Sequence, residues 1–321
     1  MPLSASRRRL LLALLAFGGL AFCWAAAEFG FLGDYWLFVL ASLGINIILA
    51  LSLNLVNGYM GEFSVGHAGF MAAGAYVAAM FTSRWLPPDL PPMVAFPISV
   101  AAGGLAASLL GLVVAMVSFK TAGDYLAIVT LAFVMIVKSV IENIDAVGGP
   151  RGLLGIAPLT TLPWVFFWGA LALWVIRNLV YSRFGRGILA VREDETAARL
   201  SGIDVRRVKV IAFTLSAFFT GVAGGLFAHL LQFINPRMFD IVKSTEMLVM
   251  VYLGGIGSLT GSVIGGTLFT MFVELLRPLG AWRMVVMPGV LVLLMLFRPR
   301  GIMGLREPPV LKPVEDQRGG A

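Results

Sequence analysis

Apolar runs of similar length alternate with short polar breaks along the whole chain. Residues 10–27, 35–56, 57–80, 93–117, 125–144, 162–181 and 208–231 form seven such runs. About 20 residues at a rise of 1.5 Å cross the ~30 Å hydrocarbon core of a bilayer, so each run is long enough to span it. In lipid the backbone must satisfy its own hydrogen bonds, which leaves helices or a closed barrel. The runs are continuously apolar and lack the alternation of barrel strands. The pattern predicts an all-α polytopic membrane protein of eight to ten crossings, one transmembrane domain over residues 1–321 with a polar tail at 305–321. Arg7, Arg8 and Arg9 precede the first run, which reads as an uncleaved span. A signal peptide cut near Ala25-Ala26-Ala27 is the alternative.

Two apolar stretches are interrupted by glycine. The first, residues 57–80, carries Gly58, Gly61, Gly66, Gly69 and Gly74, with Ser64, His67 and Glu62 as polar members. Ala68, Ala72, Ala75 and Ala79 fall on one helical face. The second, residues 244–276, is broken at Gly254, Gly255, Gly257 and Ser258. At an offset of 196, Gly58, Gly61, Ser64 and Gly69 meet Gly254, Gly257, Thr260 and Gly265. One Gly-broken segment per half is what transporters place around a midplane pathway. His67 either hydrogen-bonds a neighbouring helix or meets a solute.

One polar run stands between the two apolar halves, residues 183–209, with Arg183, Arg186, Arg192, Arg199, Arg206, Arg207 and Lys209. Basic loops are retained on the cytoplasmic side, so this loop is expected inside, together with both termini. Within it, residues 186–202 read as one amphipathic helix. Ile188, Val191 (or Leu189), Ala198 and Leu200 form an apolar stripe, and Arg192, Glu193, Asp194 and Glu195 lie on other faces. The small Ala197, Ala198 and Gly202 permit close approach by a partner. Contact with anionic membrane lipid is the other reading of the same helix. Parity then requires residues 244–276 to cross twice or form a re-entrant hairpin before a last span at 285–297. The loop at 146–159 is expected outside, with Gly148, Gly149, Pro150 and Arg151 in a tight turn.

Composition agrees: 59% of residues are hydrophobic and 13% charged, and the mean hydropathy is +0.91. A net charge of +7 concentrated in loops is not a nucleic-acid footprint. One cysteine and two distant histidines make neither a disulfide nor a metal cage, so no metal site is expected. No lysine follows a glycine, so the chain lacks a P-loop and is not expected to bind ATP or act as an enzyme. Lys138 and Glu142 are spaced to pair along one helix. These two, or Glu274, are the coupling site that a self-sufficient ion-driven transporter would need.

Several stretches carry a family resemblance. They are NGYMGEFSVGHAGFMAAGAY at residues 57–76, AGDYLAIVTLAF at 122–133 and GGPRGL at 148–153. GRGILAVREDETAARLSGIDVRRVKVIAF at 185–213, LGGIGSLTGSVIGG at 253–266 and LFRPRGIMG at 296–304 follow. In this order they resemble the LivM-type permeases of branched-chain amino acid ABC importers. The resemblance implies a second, LivH-type permease, two cytoplasmic ATPases that use ATP and Mg, and an extracytoplasmic substrate-binding protein. It implies the cytoplasmic (inner) membrane of a bacterial-type cell. It also implies that the central loop is the coupling segment, with Glu195, Ala197, Ala198 and Gly202 matching the family's Glu, Ala and Gly. Thr196 separates the glutamate from the alanines, and Arg151 stands where relatives commonly have a small polar residue. Similar permeases carry urea and other small solutes, so the solute itself is open. Replacing Ala198 by Trp or Asp is expected to uncouple transport while leaving the chain folded.

Overall fold

The computed structural model describes residues 18–20, 23–24, 33–87, 89–120, 125–282, 286, 289, 292–293, 296–297, 301–304 and 307. Most of the expected spans at 10–27 and 285–297 and of the 305–321 tail lies outside the described residues. Ten helices are described: α1 Asp34–Asn54, α2 His67–Met80, α3 Pro92–Ser118, α4 Tyr125–Glu142 and α5 Leu162–Val180. They continue with α6 Arg183–Glu193, α7 Glu195–Leu200, α8 Val205–Leu231, α9 Ile241–Gly254 and α10 Leu259–Leu275. Five stretches are long and apolar enough to cross a membrane: α1 with its extension to Met60, α3, α4, α5 and α8.

The helices begin where the sequence supplies caps. Ser182, Asp194, Asp204, Asp240 and Ser258 each accept a backbone N–H in the first turn of α6, α7, α8, α9 and α10. Both expected breaks are present. α1 runs into a π-helical turn, Leu55–Met60, which ends at Gly61 in the left-handed region at φ 77°. The second break, between α9 and α10, passes through Gly255 and Gly257, both at positive φ. α9 and α10 form a hairpin, with Gly254 packed on Gly261 and Gly265 on Met250.

The two ends of the bundle are distinct. At the basic end lie the α6–α7 loop, the Leu55–Met60 turn and the hairpin tip. The chain's last described residues join them: Ile302 and Met303 donate backbone N–H to Leu253 and Gly254, at 3.1 and 3.0 Å. The Glu307 carboxylate accepts from the Leu259 N–H and the Thr260 hydroxyl. At the opposite end, Tyr35 donates to Glu274, and Arg277 pairs with Glu274 at 3.2 Å and lies over the Tyr35 ring. α10 therefore runs the full distance between the ends. The loop after α4 sits at this same end. There β1, Leu153–Leu154, pairs antiparallel with β2, Phe233–Ile234, and Asn235 donates to the Pro150 carbonyl.

Packing at the centre is backbone on backbone. Among helices in lipid, association rests on close van der Waals contact, which favours small residues. A Cβ added to Gly74 of α2 would lie 2.3 Å from the Gly221 carbonyl of α8. One added to Gly103 of α3 would lie 2.5 Å from the Gly74 carbonyl. Gly74→Val is expected to destabilise the chain by about 3 kcal/mol, because no side-chain rotation relieves a clash with backbone. Gly169→Val, where the nearest atom is 3.8 Å away, is the neutral control. The check is the monodisperse yield from membranes extracted in mild detergent.

Candidate functional site

The polar loop holds two helices rather than the single one expected over 186–202. Asp194 leaves helical geometry at φ −156° and caps the next turn, its carboxylate accepting the N–H groups of Thr196 and Ala197. Ile188, Val191 and Ala198 of the expected apolar stripe are buried, but Leu200 is 86% exposed. Ala198 thus faces the bundle interior, and a Trp or Asp there would disrupt packing rather than leave the fold intact. The face turned outward carries Glu193, Thr196, Ala197, Arg199 and Leu200. Gly202, at φ 80°, ends α7, and the Ile203 N–H returns to the Ala198 carbonyl.

The inner face of this loop is tied to the first break by two cations. The Arg192 guanidinium donates to the Gly58 carbonyl at 3.1 Å and pairs with Glu193 at 3.3 Å. Its stem lies so close to Gly61 that a Cβ there would sit 2.7 Å away. Lys209, in the second turn of α8, reaches Glu62 at 2.5 Å and Glu195 at 2.7 Å, over the face of Phe119. Its side chain is 9% exposed. The Lys209 hydrogen bond holds the Glu195 carboxyl below its ordinary value, with Arg199 adding to the effect and partial burial opposing it.

The two breaks meet. Gly58 faces Gly257 so closely that a Cβ on it would lie 2.4 Å from the Gly257 nitrogen. Asn54 stitches them: its Nδ2 donates to the Ser258 carbonyl at 2.8 Å and the Ser262 hydroxyl at 2.7 Å, and its Oδ1 accepts the Gly257 N–H at 2.8 Å. Gly254 and Gly255 lie in the same turn, the Gly255 carbonyl 3.4 Å from Asn54 Nδ2. Deeper in the bundle, His67 is buried with Nε2 2.8 Å from the Ser216 hydroxyl and Nδ1 3.4 Å from that of Ser64. Ser216 donates onward to the Ser52 carbonyl at 2.5 Å. Gly66 and Gly69 hold α2 against Thr130, Phe133 and Val134 of α4. Gly148, Gly149, Pro150 and Arg151 stand apart, in the opposite-end turn. There Gly148 and Gly149 take positive φ, and Pro150 and Arg151 are exposed.

One pair expected from the sequence is not formed, and two that are formed were not anticipated. Among the described residues no ion pair joins Lys138 to Glu142, although both lie on α4. Lys209 counts in the sequence as one basic loop residue of seven, and its two carboxylate partners are 147 and 14 residues away, beyond the reach of spacing. Lys243 and Glu246, paired at 2.8 Å on α9, were readable as an i,i+3 pair inside an apolar run.

Such an arrangement defines a class: a polytopic helical permease, with broken helices meeting beneath a loop that has one face fixed and one face free. The chain belongs to the family described as branched-chain amino acid transport system / permease component, whose model matches residues 35–296. It is 34% identical to the high-affinity branched-chain amino acid transport system permease protein LivM of Escherichia coli K12, over 82% of this chain and 69% of that protein. LivM of Salmonella typhimurium is 32% identical over the same shares. LivH of Escherichia coli K12 is 34% identical over 40% of this chain and 42% of LivH. No solved structure matches.

Lys209→Met leaves the Glu62 carboxylate without its cation in a largely closed site, a loss of about 3 kcal/mol. The Glu195 contribution has the sign of a depressed carboxylate. It is complete above the unfolded value near 4.3 and lost as pH falls through the lower folded value. Thermal melting of wild type and Glu195→Gln between pH 7 and pH 3 is the measurement. The gap between the two curves is expected to close on the acid side.

Proposed function

We propose that this chain is one of two permease subunits of an ATP-driven importer of branched-chain amino acids in a bacterial-type inner membrane. In this reading the basic end faces the cytoplasm. The second permease is LivH-like, two ATPase subunits bind and hydrolyse ATP with Mg, and an extracytoplasmic protein delivers the solute. The LivM and LivH relatives support this reading: their names state the solute class, and two differently named permease proteins of one described transport system support the pairing.

The observation that carries the reading is the two-sided loop. Arg192 and Lys209 fix the inner face of α6–α7 to the first break, while Leu200, Ala197 and Thr196 stand free on the outer face. A partner that moved when it bound ATP would push on the free face. The fixed face would pass that displacement to Gly58 and, through Asn54, to the hairpin tip. An exposed leucine flanked by Arg199 at the end of a short helix suits an apolar, acid-rimmed groove.

Tagged chain extracted gently from its native membrane is expected to carry a second permease and two ATPases. Recovery of the chain alone, still moving solute in liposomes, would replace this reading with an ion-driven transporter. Leu200→Asp is expected to lose the ATPases, keep the second permease and lower uptake at least tenfold, since its side chain touches little of its own chain. Normal uptake in that variant removes the docking role.

A further inference from the structure

We infer that Lys243 and Glu246 of α9 form a binding site for the charged groups of a zwitterionic amino acid, midway through the membrane. The inference rests on the import reading above for its solute, and on the following geometry for its place. The Ala68 N–H, in the first turn of α2, points to the Ser244 hydroxyl at 3.4 Å, which sets the first turn of α9 at that level. His67, beside Ala68, bonds Ser216 at 2.8 Å, and Ser216 lies near the middle of the 27-residue α8. At 1.5 Å per residue, Glu246 stands about 12 Å above the hairpin tip at Gly254, and Lys243 about 17 Å. Both therefore sit within a ~30 Å hydrocarbon core rather than at its rim.

This pair is not enclosed by its own chain. Lys243 and Glu246 side chains are 17% and 34% exposed, in contrast to the 9% of Lys209 at the bundle's end. A charged pair facing acyl chains at that depth is strongly disfavoured, so this face of α9 turns toward water or protein. α9 is entered from the opposite end of the bundle through the 3-10 turn Pro236–Phe239.

The chemistry of the pair matches the solute. One ammonium and one carboxylate, three residues apart and joined at 2.8 Å, can open to take the carboxylate and the ammonium that an amino acid carries on one carbon. The Lys243 ammonium rests over the Phe227 ring at 5.6 Å, and Phe227 packs edge-on against Phe239, so aromatic surface for an apolar side chain adjoins the charges. A pair that satisfies itself when empty binds loosely, which suits a path that must release what it accepts.

Cysteine accessibility in the assembled importer tests this. Cys23, the chain's one cysteine, is replaced by Ser, and Lys243→Cys, Glu246→Cys and, on the 60% exposed face of α4, Ile136→Cys are made in that background. Native-membrane vesicles are treated with a charged, membrane-impermeant methanethiosulfonate, with and without leucine, and the purified chain is weighed. Label is expected at 243 and 246, slowed severalfold by leucine, and absent at 136. Glu246→Gln is expected to raise the KM for leucine uptake about tenfold while the complex still assembles. Labelling at 243 and 246 no faster than at 136, or indifferent to leucine in vesicles that accumulate it, overturns the inference. Parent vesicles that accumulate no leucine overturn the import reading instead, and the labelling comparison with position 136 still decides whether the pair faces water.

Discussion

A single ammonium group fixes the geometry of the basic end. Lys209 leaves α8 in its second turn and finds carboxylates from two other segments, Glu62 between the first break and α2, and Glu195 at the start of α7. With only 9% of its side chain exposed, it has exchanged most of its water for those partners. Removing the ammonium would leave two carboxylates facing each other in a confined space, so Lys209 is what holds the two segments together. Arg192 adds a second attachment a few ångströms away, through the Gly58 carbonyl. Two attachments prevent rotation where one permits it. The loop and the first break therefore behave as one piece, and Asn54 extends that piece to the hairpin tip.

The rest of the bundle makes such a piece possible by being unyielding. Gly74, Gly103 and Gly221 bring three backbones into contact, leaving no side chain whose rotamer could absorb a displacement. The two buried imidazoles are likewise spoken for. His67, Ser216 and Ser52 form a chain across α2, α8 and α1, and His229 is held between the Gly225 carbonyl and the Thr82 hydroxyl at 2.8 and 2.9 Å. Satisfied interior polar groups rigidify a core rather than soften it. Movement is left to the breaks, where Gly61, Gly255 and Gly257 take backbone angles that other residues resist.

Much of this was legible in the chain. Hydrophobic runs marked α1 to α5 and α8, because span length is set by the bilayer and leaves a one-dimensional signature. Glycine marked both breaks, and the basic run marked the loop. What periodicity misread was Leu200. Its spacing placed it with Ile188 and Val191, but Asp194 interrupts the helix there and turns α7 so that Leu200 points outward. An Asx cap competes with helix continuation, and the residue string alone does not say which wins. Asn54 was illegible for a different reason: its partners, 203 to 208 residues distant, exist only once the two breaks meet.

Charge in this protein divides by whether its own fold completes it. Lys209 is enclosed by two carboxylates of the same chain, so it is explained as structure. Arg277 and Glu274 pair at the opposite end beside Tyr35, where headgroups and water also reach. Lys243 and Glu246 differ from both, since they pair with each other, lie at mid-depth and remain partly open. Burial energetics would remove such a pair from a surface that met only lipid. On the inference drawn above, its presence on α9 marks the side of this subunit that something else completes. The hairpin carrying it is the one whose tip the Asn54 contacts tie to the first break and, through Arg192, to the loop, so the open charges and the outward face of the loop lie on one mechanical unit.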